Sequence, residues 1–227
     1  MKKLVDLIVV GAGNPDIVRL IEDINEEKKM FNFIGFLDKN NSLHETEILG
    51  YPVLGDDELL IKYKKCAVVN NVIGTTLLHE MVTNTIRKKY GIVHFPNLIH
   101  PSTGLKYVSL GQGNIIYENV CFGTNVSIGN FNVIYPFVLV AHQSTIGSFN
   151  LLAASVSMGS RVTIGNRNEW GVGSILLYYL NVCDDVFVST GSVVMSSINS
   201  PTRVIGNPAM PIKDFAKMQF SLEKLRI

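Results

Sequence analysis

Every sixth residue from Leu110 to Val194 is apolar: Leu110, Ile116, Phe122, Ile128, Ile134, Val140, Ile146, Leu152, Met158, Ile164, Trp170, Leu176, Val182, Val188 and Val194. In a chain that is 47% hydrophobic, such a run at one chosen phase has a chance probability of roughly 10⁻⁵. The period fits neither a 3.6-residue helix nor a simple hairpin array. It fits a solenoid of short strands, the hexapeptide β-helix, in which each coil buries one side chain on each of three faces. Three faces of six residues make an 18-residue coil, so residues 110–194 hold nearly five coils without an inserted loop. Gly follows the rung at 111, 123, 129, 147, 159, 165 and 171, where a missing Cβ relieves crowding at a corner. Trp170 stands on a rung and is read as core.

The first hundred residues follow another pattern, strands alternating with helices. Leu4 to Val10 reads as a short apolar strand that turns at Gly11-Ala12-Gly13. Asn14-Pro15-Asp16 then opens a helix with a capping Asn, Pro at the first helical position and an acid in the first turn. Its apolar face is Ile17, Val18, Ile21 and Ile24. A second strand, Phe31 to Leu37, ends at Asp38-Lys39. After the turn-rich GYPVLG (residues 50–55) come a helical stretch near 56–64, a strand Ala67 to Ile73 ending at Gly74, a helix near 76–90 and a strand near 91–95. Such alternation implies right-handed βαβ units, a parallel sheet, and a ligand crevice at the carboxyl ends of the strands. That crevice is expected between the 11–14, 38–39 and 74 turns. The loop is not a dinucleotide fingerprint: Asp16 stands where the third Gly would be, and in a first helical turn it repels a pyrophosphate.

Charge and cysteine content narrow the function classes. Lys+Arg 20 against Asp+Glu 19 gives a net charge of +1, which offers no electrostatic case for nucleic acid or an anionic membrane surface. Cys66, Cys121 and Cys183 lie far apart with no CxxC pair, a pattern that suits reduced cytoplasmic thiols better than a disulfide framework or a zinc site. The opening MKKLVDLIVVGAG mimics a signal peptide, but Asp6 interrupts an already short apolar run and a core strand explains it better. No run approaches the ~18 apolar residues of a membrane helix.

With both halves in view, the chain resembles the bacterial hexapeptide acyltransferases that acetylate nucleotide-linked amino sugars, the group holding the bacillosamine- and perosamine-type N-acetyltransferases and their sialic-acid O-acetyltransferase relatives. The carriers are VVGAG at the start, FLDKN (36–40), GYPVLG (50–55), VIG (72–74), LIHPS (98–102), the hexad array and VIGNPA (204–209). The resemblance implies a Rossmann-like domain over 1–102 that holds the sugar nucleotide, a left-handed parallel β-helix over 103–212, and a capping helix over 213–227 carrying Phe215, Met218, Leu222 and Leu225. It implies a cytoplasmic homotrimer, acetyl-CoA as donor in a groove between neighbouring β-helices, no metal, and a place in surface-glycan synthesis. The family's V-x-H-[DE]-x-x-I-G falls on Val140 to Gly147, which puts His142 at the general base, with Gln143 beside it. Ser155, Gly173, Gly206, Pro208 and Ala209 fall on donor-binding positions, the Ser155 N–H facing the acetyl carbonyl. Gly11, Gly13, Asn14, Asp38, Lys39, Gly74 and Tyr135 fall on the side of the sugar nucleotide.

The chemistry of His142 supports this role on its own terms, since attack on a thioester needs an unprotonated amine or hydroxyl and imidazole titrates near neutrality. His142 is two residues past the Val140 rung, hence in a turn, and is the only His in the array. A zinc site of the hexapeptide type needs three His. Departures from the family cluster at the site: Gln143 replaces an acid, Tyr135-Pro136 an Asn, Leu151 a second His and Ser155 a Gly. They leave open an O-acetyltransferase or a silent sugar-nucleotide-binding relative.

Overall fold

The computed structural model describes residues 4–92 and 94–217. Its first part is a five-stranded sheet in the order β3-β4-β2-β1-β5, with β1 at Val5–Val10, β2 at Phe31–Leu37, β3 at Glu47–Ile48, β4 at Tyr51–Gly55 and β5 at Ala67–Asn70. β1 runs parallel to β2 and β5, β2 runs parallel to β4, and β3 closes the edge antiparallel. Helix α1 (Asp16–Glu27) buries Ile17, Val18, Leu20, Ile21 and Ile24. At its start Pro15 is already helical, and the Asn14 side chain accepts from the Asp16 N–H at 3.2 Å, the expected cap. Helix α2 (Thr76–Tyr90) starts at a Thr75 side-chain cap and stops at Gly91 in the left-handed region.

Four details of the domain differ from the sequence reading. GYPVLG is not merely a turn: Leu49 and Gly50 take positive φ to close a tight hairpin, and Tyr51–Gly55 then becomes β4. β5 stops at Asn70 instead of Ile73, because the Asn70 side chain accepts the Val72 N–H at 3.0 Å and ends the ladder. The 56–64 stretch is a 3₁₀ helix over Asp57–Ile61. Residues 91, 92, 94 and 95 form no strand, although the His94 carbonyl accepts from the Val68 N–H at 3.0 Å.

The second part is the solenoid. Every strand-ending rung from Leu110 to Val194 points inward, and all but the half-buried Leu110 and Phe122 are buried. Three parallel sheets form, here called faces 1, 2 and 3, whose rungs begin at Leu110, Ile116 and Phe122 and recur on every third strand. A further strand, β6 (Leu98–Ile99), pairs with Ile115–Ile116 on face 2. The solenoid face thus begins before the division expected at 102/103, since the chain joins face 2 one coil ahead of the first full hexad. Of the expected capping helix, 212–217 is helical and Phe215 is half-buried near Gly206; Met218, Leu222 and Leu225 lie outside the described residues.

Inside the corner between faces 1 and 2 runs an asparagine ladder. Asn114, Asn132, Asn150 and Asn168 are buried, and each Oδ1 accepts the backbone N–H eighteen residues on, at 2.7 to 2.9 Å. Replacing Asn150 by Ala orphans the buried Asn168 N–H and should cost about 2 kcal/mol, seen as a fall of roughly 4–8 °C in Tm. An unchanged Tm would show the ladder to be energetically idle.

The two parts share one core. Leu98, Ile115, Tyr117 and Val133 from the solenoid side cluster with Leu7, Ile17 and Ile21, so the α/β domain is seated on face 2 of the first coils. Face 1 presents Ser109, Ser127, Thr145, Thr163 and Asn181 outward. Face 3 presents Leu139 and Ile175, 42% and 40% exposed.

Candidate active site

The carboxyl ends of β1, β2 and β5 meet the solenoid at a cleft of about 400 Å³ lined by Gly11, Gly13, Asn14, Asp38, Asn71, Val72, Ile73, Gly74, Leu78 and Tyr135. Six residues singled out for the sugar-nucleotide side therefore share one wall system. Lys39 is not among them: its Nζ points to Asp57 at 3.6 Å. Gly11 has φ +98, and a Cβ there would lie 2.7 Å from the Val72 side chain, so the loop is built on its glycine.

Local hydrogen bonds fix the cleft. Asp38 accepts from the Ala12 N–H and the Asn40 N–H, each at 2.8 Å, so the Gly-loop already holds a carboxylate where a dinucleotide site would hold phosphate. Asn71 donates to the carbonyls of Gly11 (2.9 Å) and Asn14 (3.0 Å). Asn14 donates to the Tyr117 hydroxyl at 3.0 Å, and the Tyr117 ring stacks on Tyr135 with centroids 5.1 Å apart. Burial, then the neighbouring Tyr135 and Asp16, pushes the Tyr117 hydroxyl far up, and burial followed by Asp16 raises Tyr135. Both hydroxyls stay protonated, Tyr135 on the cleft wall and the buried Tyr117 stacked on it. Sequence reasoning missed Asn71, Leu78 and Tyr117; the Asn70-Asn71 pair at a strand end was the available signal.

Behind the cleft wall, His79 is buried, and its Nδ1 faces the Val72 carbonyl at 3.1 Å. A carbonyl only accepts, so Nδ1 carries the proton. Burial lowers this histidine to about 4, the Val72 bond opposing the fall. Its folded value lies below the unfolded one near 6.5, so the associated stability is present above that value and drains as pH falls from about 6.5 to 4, by up to about 3 kcal/mol. His79→Gln should flatten this acid slope in Tm against pH; an unaltered slope would place its origin elsewhere.

His142 and Gln143 sit at the corner joining face 3 to face 1, both exposed. The corner is tight: a Cβ on Gly123 would come 2.5 Å from the His142 backbone N. His142 Nδ1 lies 3.2 Å from Gln143 Oε1. An amide oxygen accepts, so in this arrangement Gln143 suits the tautomer that carries its proton on Nδ1 and leaves Nε2 to accept. Leu151, where a second His was expected, is half-buried on face 2.

The donor-side residues string along the corner joining faces 2 and 3. Ser155 and Gly173 take positive φ there, and the Gly206–Ala209 loop lies against the same edge through Gly206 N–H to Ser192 Oγ (3.1 Å) and Ala209 N–H to the Val193 carbonyl (2.8 Å). The Asn207–Pro208 peptide is cis. One expected role is corrected: the Ser155 N–H donates to the Pro136 carbonyl at 3.0 Å, a bond that every coil repeats in order to close its corner, and so it is not free for an oxyanion. Trp170 is a buried rung, as read.

The cleft and His142 thus occupy two different corners of the solenoid, with face 3 between them. Apolar side chains flank that face on both sides: Phe137 and Val172 at one corner, Tyr178 and Tyr179 at the other, all at least half exposed. Among the described residues, no cluster of three or more His, Cys, Asp or Glu is placed to hold a metal ion, and no helix is long and apolar enough to cross a membrane.

Residues 6–89 match the family model described as the PglD N-terminal domain. No curated protein sequence matches the chain. Among solved structures, the acetyltransferase domain of PglB from Neisseria gonorrhoeae FA1090 is similar at TM-score 0.80 and 22% identity, covering 91% of this chain and 98% of that one. PerB from Caulobacter crescentus, solved in complex with CoA and GDP-perosamine, is similar at TM-score 0.71 and 24% identity over 92% and 98% of the two chains. WeeI from Acinetobacter baumannii AYE follows at TM-score 0.63 and 18% identity, over 92% and 100%. At these identities the likeness shows the fold, an α/β domain leading into a left-handed parallel β-helix.

Proposed function

We propose that this protein is an acetyl-CoA-dependent N-acetyltransferase acting on a nucleotide-linked amino sugar in bacterial surface-glycan synthesis, working as a cytoplasmic homotrimer. The observation that carries the reading is a ligand-sized cleft at the α/β–solenoid junction together with an exposed imidazole at a solenoid corner, its Nδ1 3.2 Å from Gln143 Oε1. The PglD N-terminal match over 6–89 and the fold shared with PerB, which was solved with CoA and GDP-perosamine, support it.

Because the cleft and His142 stand at separate corners, the complete site requires two copies: the amino sugar projects from the cleft of one subunit toward His142 of its neighbour. The amine nitrogen attacks the acetyl carbonyl, Nε2 takes the amine proton, the new C–N bond forms, and the C–S bond breaks to release CoA thiolate. Gln143 holds the Nδ1–H tautomer but adds no negative charge, so it orients the imidazole without stabilising imidazolium. Donor contacts are assigned to the line from Ser155 and Gly173 to the Gly206–Ala209 loop, and acceptor contacts to Gly11, Gly13, Asn14, Asp38, Gly74 and Tyr135.

The test is CoA release from acetyl-CoA by purified protein with a panel of nucleotide-linked amino sugars. Release is expected only when donor and acceptor are both present, with a hydroxylamine-stable amide product. A hydroxylamine-labile product would reassign the activity to O-acetylation. Nucleotide-sugar binding with no CoA release from any acceptor would make this a silent binding protein.

A further inference from the structure

We infer that Glu169, on the fourth coil of the solenoid, is a positioning residue for the cleft wall, acting through the first turn of α2. The inference rests on the reading of that cleft as the nucleotide-sugar site. Glu169 points outward from face 2 beneath the start of α2. Its Oε1 accepts from the Thr76 N–H at 3.0 Å and from the Thr76 hydroxyl at 3.2 Å. The same hydroxyl lies 3.1 Å from the Arg167 carbonyl, and the Arg167 guanidinium reaches Glu80 on α2 at 3.6 Å. The solenoid therefore grips α2 at residues 76 and 80.

What α2 carries explains why the grip matters. Gly74 and Leu78, on either side of Thr76, line the cleft. His79, one residue further, binds the Val72 carbonyl of the same wall, and Asn70 donates to the His79 carbonyl and the Thr83 hydroxyl, each at 2.9 Å. Wall residues 70–74 thus hang from the first turn of α2, and that turn hangs from Glu169. The carboxylate also compensates the positive end of the helix dipole, so the two helix starts flanking the cleft both carry protein carboxylates, Asp38 at the Gly-loop and Glu169 at α2. A nucleotide's phosphates are thereby turned away from α2, and the wall that meets the sugar end is held by bonds that do not involve the ligand.

Glu169→Ala, Glu169→Gln and Thr76→Val are compared with the wild type in two measurements: amide hydrogen exchange over residues 71–79, and calorimetric affinity for UDP, GDP and dTDP with acetyl-CoA as the control ligand. Glu169→Ala is expected to speed exchange across 71–79 and to weaken the best-bound nucleotide about tenfold, with acetyl-CoA affinity unchanged. Glu169→Gln, which keeps an accepting oxygen, should return both readouts to within about threefold of wild type, and Thr76→Val should fall between. Unchanged exchange in Glu169→Ala overturns the grip itself. Faster exchange with unchanged nucleotide affinity, or an equal loss of acetyl-CoA affinity, overturns the positioning role. A wild type that binds none of the three nucleotides overturns the reading of the cleft and the inference with it, and is told apart because the failure precedes any substitution.

Discussion

His142→Ala is expected to lower kcat by 10²- to 10⁴-fold, the range typical of a lost general base, while leaving the KM for acetyl-CoA within about twofold. The imidazole is exposed, and its partner Gln143 places Oε1 3.2 Å from Nδ1. His142 is the only histidine of the hexad array, and the residue nine places on, where the resemblance has a second His, is Leu151. Gln143→Glu supplies the control. A carboxylate facing Nδ1 favours imidazolium, so the acid limb of the kcat/KM–pH profile should move to higher pH, whereas a His142 that merely packs would leave that profile where it was. Equal turnover by wild type and His142→Ala would remove the histidine from the chemistry.

Ile175→Asp should abolish turnover by a different route. Ile175 lies in one row with Ser157 and Leu139 along face 3, a surface on which both Leu139 and Ile175 are exposed, and a carboxylate there, buried and unpaired in an assembly, opposes association. The wild type is expected at three times the 25.1 kDa chain mass by light scattering. The variant is expected as a folded monomer whose activity has fallen at least 100-fold, because a monomer keeps cleft and imidazole on separate corners. Complementation sharpens the point: mixed assemblies of His142→Ala with Asp38→Ala should recover part of the activity, each copy supplying what the other lacks. A fully active monomer, or no recovery in mixed assemblies, would refute a site shared between copies.

The solenoid was legible because its code is repeated: one buried side chain every six residues leaves little else that Ile134, Val140 or Ile146 can do. The βα skeleton was legible for the same reason, from the apolar face of α1 and the Asn14-Pro15 start. What escaped was set by contacts far apart in sequence. Nothing local shows that Tyr51–Gly55 will pair with β2, or that Lys39 will turn to Asp57 while Asp38 turns to the Gly-loop. The Ser155 N–H could be given a catalytic role on paper because its bond to Pro136 exists only once the coils stack. The stack of Tyr117 on Tyr135, eighteen residues apart, follows from the same stacking and could have been read from the coil length.

The coil spacing has a metric consequence. Hydrogen-bonded strands lie about 4.8 Å apart, so positions eighteen residues apart form graduations along the molecule. From the level of Val140, beside His142, to that of Val194, beside the Gly206–Ala209 loop, there are three such steps, about 14 Å. For a donor whose thioester is set at the first mark and whose far end is gripped at the last, the number of coils fixes the length of carrier that fits. Discrimination between a long carrier and a short thioester then belongs to the count of repeats, and no single side chain in the groove has to provide it.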